Sequence, residues 1–128
     1  MKQQELFAQL DRLGVKTQEA LGRFMGNEAL FLSFVRQLPE KMDFPSIRQQ
    51  LESEDEEAFY MTVHNLKGLT GNLSVEPVFD CLQAILVEFR TSKFQNKGKL
   101  ASLLREAETE SEALADLIRQ YVAEEGQA

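Results

Sequence analysis

His64-Asn65-Leu66-Lys67-Gly68-Leu69-Thr70-Gly71-Asn72-Leu73 holds the only histidine of the chain, and its reading decides the rest. On a helix of 3.6 residues per turn, positions 64, 67, 68 and 71 follow the i, i+3, i+4, i+7 rule, so His64, Lys67, Gly68 and Gly71 are expected on one face. Phe59, Val63, Leu66, Thr70 and Leu73 form a second stripe on roughly the opposite face. That stripe is mainly apolar and belongs in a core. The first face presents an imidazole, an amine and two residues without side chains. Each glycine costs about 1 kcal/mol relative to alanine inside a helix. Two of them on a polar face predict that something comes close to this backbone, beside the histidine.

Working outward, Ser53 with Glu56 three residues later reads as a capping box, and the acidic run Glu54 to Glu57 suits the positive end of a helix dipole. The central helix is therefore expected from Ser53 to about Leu73. Ser74-Val75-Glu76-Pro77 is a turn, with Pro77 in the first turn of the next helix. Val78, Phe79, Leu82, Ile85, Leu86 and Phe89 stripe that helix, and the pattern fades near Arg90 to Phe94. Asn96-Lys97-Gly98 is expected to be a loop before a last helix from about Lys99 to Val122. On the N-terminal side, Glu28 to Met42 reads as a helix with Leu30, Phe31, Phe34, Val35 and Leu38 at helical spacing. Pro39 kinks it or starts a new one, since proline has no N–H, and Pro45 marks a further boundary before Ile47 and Leu51. Two short helices precede these: Glu5 to Leu13, ended by Gly14, and a second N-capped by Thr17, ended by Gly26-Asn27. No stretch alternates with period two, so no strand is expected. The expected fold is all-α: an antiparallel four-helix bundle with extra short N-terminal helices. It is one domain, 1–128, with residues 1–26 as cap helices and 27–123 as the bundle.

A length of 128 residues and a hydrophobic share of 43% fit one globular core. The net charge of −7 argues against nucleic acid, which needs clustered Lys and Arg, and against anionic lipid surfaces. No apolar run approaches the length of a transmembrane helix, and Met1 to Leu10 lacks the form of a signal peptide. The single cysteine, Cys81, cannot form an internal disulfide and reads as a small core hydrophobe. A cytoplasmic monomer that binds neither nucleic acid nor membrane is expected.

A lone histidine is more often structural than functional, but His64 lies off the apolar stripe. Neutral imidazole is a nucleophile near neutral pH. Lys67, one turn on, places a positive charge near anything anionic attached to the ring, and Gly68 and Gly71 clear space. Tyr60, one turn before, either flanks a docking surface or is simply half exposed. Other chemistries lack their parts. There is no nucleophile elbow and no pair of Glu-x-x-His helices for a di-iron site, since Met61 stands three residues before the histidine. Cys and His ligands for zinc are missing, as are Walker A and Rossmann glycine patterns. No metal or cofactor is expected. Without means of using ATP, the chain must take any phosphoryl group on His64 from another protein.

His64-Asn65-Leu66-Lys67-Gly68 resembles the His-x-Leu-Lys-Gly signature of histidine phosphotransfer (HPt) domains, carried by that family on the second helix of a four-helix bundle. The resemblance covers most of the chain. Gly14-Val15, Ala20-Leu21, Arg23-Phe24 and Gly26 look like the family's N-terminal segment, and Cys81-Leu82 like a pair common in it. Ser74 stands where the family often has glycine, and Gln83 where it often has glutamate. The resemblance implies a phosphocarrier of a two-component phosphorelay, without an ATP site of its own. His64 would accept a phosphoryl group from a receiver-domain aspartate and pass it to another, with Lys67 offsetting its charge. Gly68, Gly71 and Tyr60 would form the face that docks a response-regulator receiver or a hybrid or sensor histidine kinase. Mg²⁺ would belong to the receiver. The alternatives are a helical adaptor that binds a receiver or kinase without phosphotransfer, and a purely structural bundle.

Overall fold

The computed structural model describes residues 1–126. Among them are seven helices and no strand: α1 (Gln3–Arg12), α2 (Thr17–Arg23), α3 (Glu28–Lys41), α4 (Phe44–Glu52), α5 (Glu56–Asn72), α6 (Glu76–Ser92) and α7 (Lys97–Gly126). None is long and apolar enough to cross a membrane. The segment bounded by Pro39 and Pro45 resolves into a helix of its own. Pro39 sits in the last turn of α3, where a missing N–H costs one bond near an end already in sight. Pro45 opens α4, where that N–H would be unsatisfied anyway.

Three helix starts use the same device. Asn27, Asp43 and Asp55 accept hydrogen bonds from the backbone N–H three residues on, at Leu30, Ser46 and Ala58. The expected capping box at Ser53 is therefore incorrect. Ser53 lies in α-helical backbone (φ −80°, ψ −4°) as the C-cap of α4, and the chain reverses at Glu54 before Asp55 takes the cap. Thr17 is likewise not an N-cap. It is the first residue of α2, and both its N–H and its hydroxyl donate to Asp11 Oδ1, at 3.1 and 2.9 Å. Asn96-Lys97-Gly98 is not a free loop either, because α7 begins at Lys97 and carries Gly98 within it.

Helix ends share a second device. After α1, α2, α4 and α5 the chain closes with paired 6→1 and 5→2 backbone bonds around a first residue of positive φ, followed after α2 by a second, Gly26 (φ 77°). Only after α1 is that first residue a glycine, Gly14 (φ 92°); elsewhere it is Met25, Glu54 or Ser74, at φ 52–55°.

Side-chain pairs give the packing directions. Phe79 lies near Gly71 and Lys67, and Phe89 near Tyr60, so α6 runs antiparallel to α5. Asn96 and Lys99 reach Glu88, and α7 returns along α6. Arg36 pairs with Glu125, Arg48 with Glu108 and Lys97 with Glu52, so α3 and then α4 run antiparallel along α7. α4 also touches α5, so α4, α5, α6 and α7 form a closed circuit of neighbours, with α1 and α3 against the outer length of α7. The core inside carries the expected stripes: Phe59, Val63, Leu66, Thr70 and Leu73 of the central segment are all buried, with Val78, Leu82, Ile85, Leu86 and Phe89 of α6. Thr70 needs no outside partner, since its hydroxyl donates to the carbonyls of Leu66 and Lys67.

Candidate functional site

His64 stands exposed near the middle of α5. Among the described residues, no hydrogen bond or ion pair engages its ring. Tyr60, one turn earlier, stacks on it, with ring centroids 5.7 Å apart and planes 10° from parallel. This follows from helix geometry, because every Cα–Cβ bond tilts toward the N-terminus and a side chain leans on the residue four positions before it. By the same rule, any side chain at position 68 would lean over His64. Gly68 has none, and a Cβ built there meets nothing within 4 Å. The imidazole therefore has a wall on its N-terminal side and open space on its C-terminal side.

Gly71 does something else. A Cβ there would lie 3.2 and 3.4 Å from the Phe79 ring. This glycine is half-buried, and its missing side chain makes room for α6. Lys67 is half-buried as well, its ammonium 5.8 Å from the centroid of the same ring. The expected shared face is thus split: His64 and Gly68 look outward, while Lys67 and Gly71 border the seam between α5 and α6.

Tyr60 is half-buried and stacks on Phe89 on its other side (6.5 Å, 30°). Phe89 is buried, within 5.1 Å of both Phe59 and Phe94. A line of rings thus connects the exposed imidazole to the core. A hollow of about 350 Å³ lies beside Tyr60 and Phe89, rimmed by Glu56, Glu57 and Lys93. A smaller one, about 180 Å³, borders Gly71 and Phe79 at the other end of α5. Another, about 450 Å³, lies between α1 and α7 and is lined by no histidine or cysteine. Met61 on α5 and Val87 on α6 are large apolar side chains left exposed.

Sequence reading missed Phe79 and Phe89 as shapers of this site, since both fall on the apolar stripe of α6. The signal was the short 73–75 link, which forces α6 to return along α5 and sets position 79 opposite 71 and 67.

The other nucleophile is closed off. Cys81 is buried, and burial first, then the negative charges of Glu106, Glu110 and Asp80, pushes its thiol pKa up to about 11. Among the described residues, no three His, Cys, Asp or Glu side chains gather as a metal site. No family model matches the chain, and neither does any curated protein or solved structure.

Proposed function

We propose that this chain is a histidine phosphotransfer domain, its α4–α7 circuit serving as a four-helix bundle that carries a phosphoryl group between receiver-domain aspartates in the cytoplasm. The observation that supports this most is the setting of His64: an exposed, unpaired imidazole on a buried-core helix, with bare backbone at Gly68 one turn on. A histidine kept for stability would be buried or hydrogen-bonded. Instead its ring nitrogens are left to solvent.

In the reaction, the unprotonated ring nitrogen attacks phosphorus of the donor's aspartyl phosphate. The N–P bond forms as the P–O bond to the carboxylate breaks, and the carboxylate leaves with the electron pair. The second transfer reverses these roles with another receiver. Lys67 contributes positive charge one turn from the phosphoryl group. Gly68 admits the partner's surface, and the exposed Met61, three residues before His64 on the same helix, offers it an apolar contact. Mg²⁺ is the receiver's, and this chain supplies only the nucleophile and the platform.

Incubation with a ³²P-labelled, phosphorylated receiver domain tests the reading. Wild-type chain should gain an acid-labile, base-stable label, and His64→Gln should fold normally and gain none. Receiver binding without any label would establish the adaptor instead, and label on His64→Gln would refute the assignment of the acceptor.

A further inference from the structure

Resting on the phosphotransfer reading, we propose that Tyr60 is a positioning residue for His64, a ring that fixes the plane of the imidazole so that an incoming phosphorus always meets it in one orientation. An exposed histidine without a partner otherwise turns freely. Two side-chain torsions are free at a solvent-facing position, and no hydrogen bond holds this ring. A second group usually orients a catalytic imidazole through a ring nitrogen, and here no carboxylate or carbonyl does so. The stack replaces it: the Tyr60 and His64 planes are within 10° of parallel. Stacking on the flat of the ring leaves both nitrogens, which lie at its edge, free for chemistry.

A positioning ring must itself be held. Tyr60 is half-buried, and its far face meets Phe89, which is 1% exposed and packed with Phe59 and Phe94. The order imposed on the imidazole is thereby borrowed from buried, mutually packed rings of the α5–α6 seam. Gly68 completes the arrangement, because it places no side chain over the ring from the following turn, and a Cβ built there meets nothing within 4 Å. The work of Tyr60 is done by its ring, not its hydroxyl, for the hydroxyl makes no hydrogen bond among the described residues.

The test separates positioning from docking and from the phosphotransfer reading itself. Tyr60→Ala and Tyr60→Phe are compared with wild type in three measurements. Proton NMR of the His64 ring should show ring-current-shifted resonances in wild type and Tyr60→Phe, and none of that shift in Tyr60→Ala. Transfer from a phosphorylated receiver should show kcat about tenfold lower in Tyr60→Ala with KM little changed, and near-wild-type kcat in Tyr60→Phe. With the small donor phosphoramidate, which can approach the ring from any side, the three proteins should be labelled at similar rates. A Tyr60→Ala kcat equal to wild type would overturn the proposal, as would a loss expressed wholly in KM, which would make Tyr60 a docking contact. Failure of wild-type chain to take label from either donor would overturn the phosphotransfer reading, and positioning with it. Circular dichroism of Tyr60→Ala checks that α5 is retained, and should it be lost, the intermediate Tyr60→Leu carries the same comparison.

Discussion

α5 is treated differently in its middle and at its C-terminal end. Around His64 it is left open: among the described residues no hydrogen bond or ion pair engages the ring, Tyr60 stacks on it, and a Cβ at Gly68 would meet nothing within 4 Å. Two turns later the same helix is tied from several directions. Arg23 donates to the carbonyl of Asn72 (3.2 Å) and to the hydroxyl of Ser74 (2.6 Å), Lys16 N–H bonds Ser74 O, and Val15 pairs with Val75. Gly14 packs so closely on Pro77 that a Cβ would fall 2.6 Å from its Cγ. Buried Ser74 accepts a left-handed backbone (φ 55°) there, with the Arg23 bond as compensation. On the proposed phosphotransfer reading, the anchored end would keep α5 from deforming when a partner meets the bare backbone in its middle.

The contrast can be broken most forcefully at Gly14. Alanine there faces both a φ of 92° and the Pro77 ring, and should cost about 2–4 kcal/mol in urea unfolding. A loss under about 1 kcal/mol would mean that the α1–α2 segment is not a tight clamp on the end of α5. Gly68 and Gly71 sharpen the comparison. Gly68→Ala meets nothing and should recover up to about 1 kcal/mol of helix propensity. Gly71→Ala must push Phe79 aside by a few tenths of an ångström, so its net change should be the smallest, within about 0.5 kcal/mol of zero. Equal gains at the two sites would show that Phe79 yields freely and that both glycines belong to the open face.

That pair also shows what a single sequence can and cannot reveal. The 3.6-residue period sorted Phe59, Val63, Leu66, Thr70 and Leu73 inward and His64 and Gly68 outward, because those residues are decided by one helix alone. Gly71 lies at the margin of that face, where the neighbouring helix decides, and the periodicity of α5 carries no information about Phe79. The start of α5 was misplaced for a similar reason. Ser53 and Asp55 are both good caps, and the choice fell to Asp55 because Glu54 takes a left-handed turn that closes α4. Glu54 has no residue-type signal for that backbone, and neither have Met25 and Ser74. The stack of Tyr60 on His64 was half legible: the i, i+4 spacing brought the rings together, but Phe89, which holds Tyr60 in place, comes from another helix.

The central claim is that the space above Gly68 is kept clear for a partner at His64, and Gly68→Gln measures it most directly. A glutamine there would lean over the imidazole into open solvent. Thermal melts and receiver-to-His64 transfer rates are taken on the same preparation. The account predicts a melting temperature no lower than wild type, together with transfer slowed at least about tenfold, since side-chain atoms would occupy the partner's approach. Wild-type transfer by Gly68→Gln would contradict it, and would leave this glycine with no role in the function of the helix.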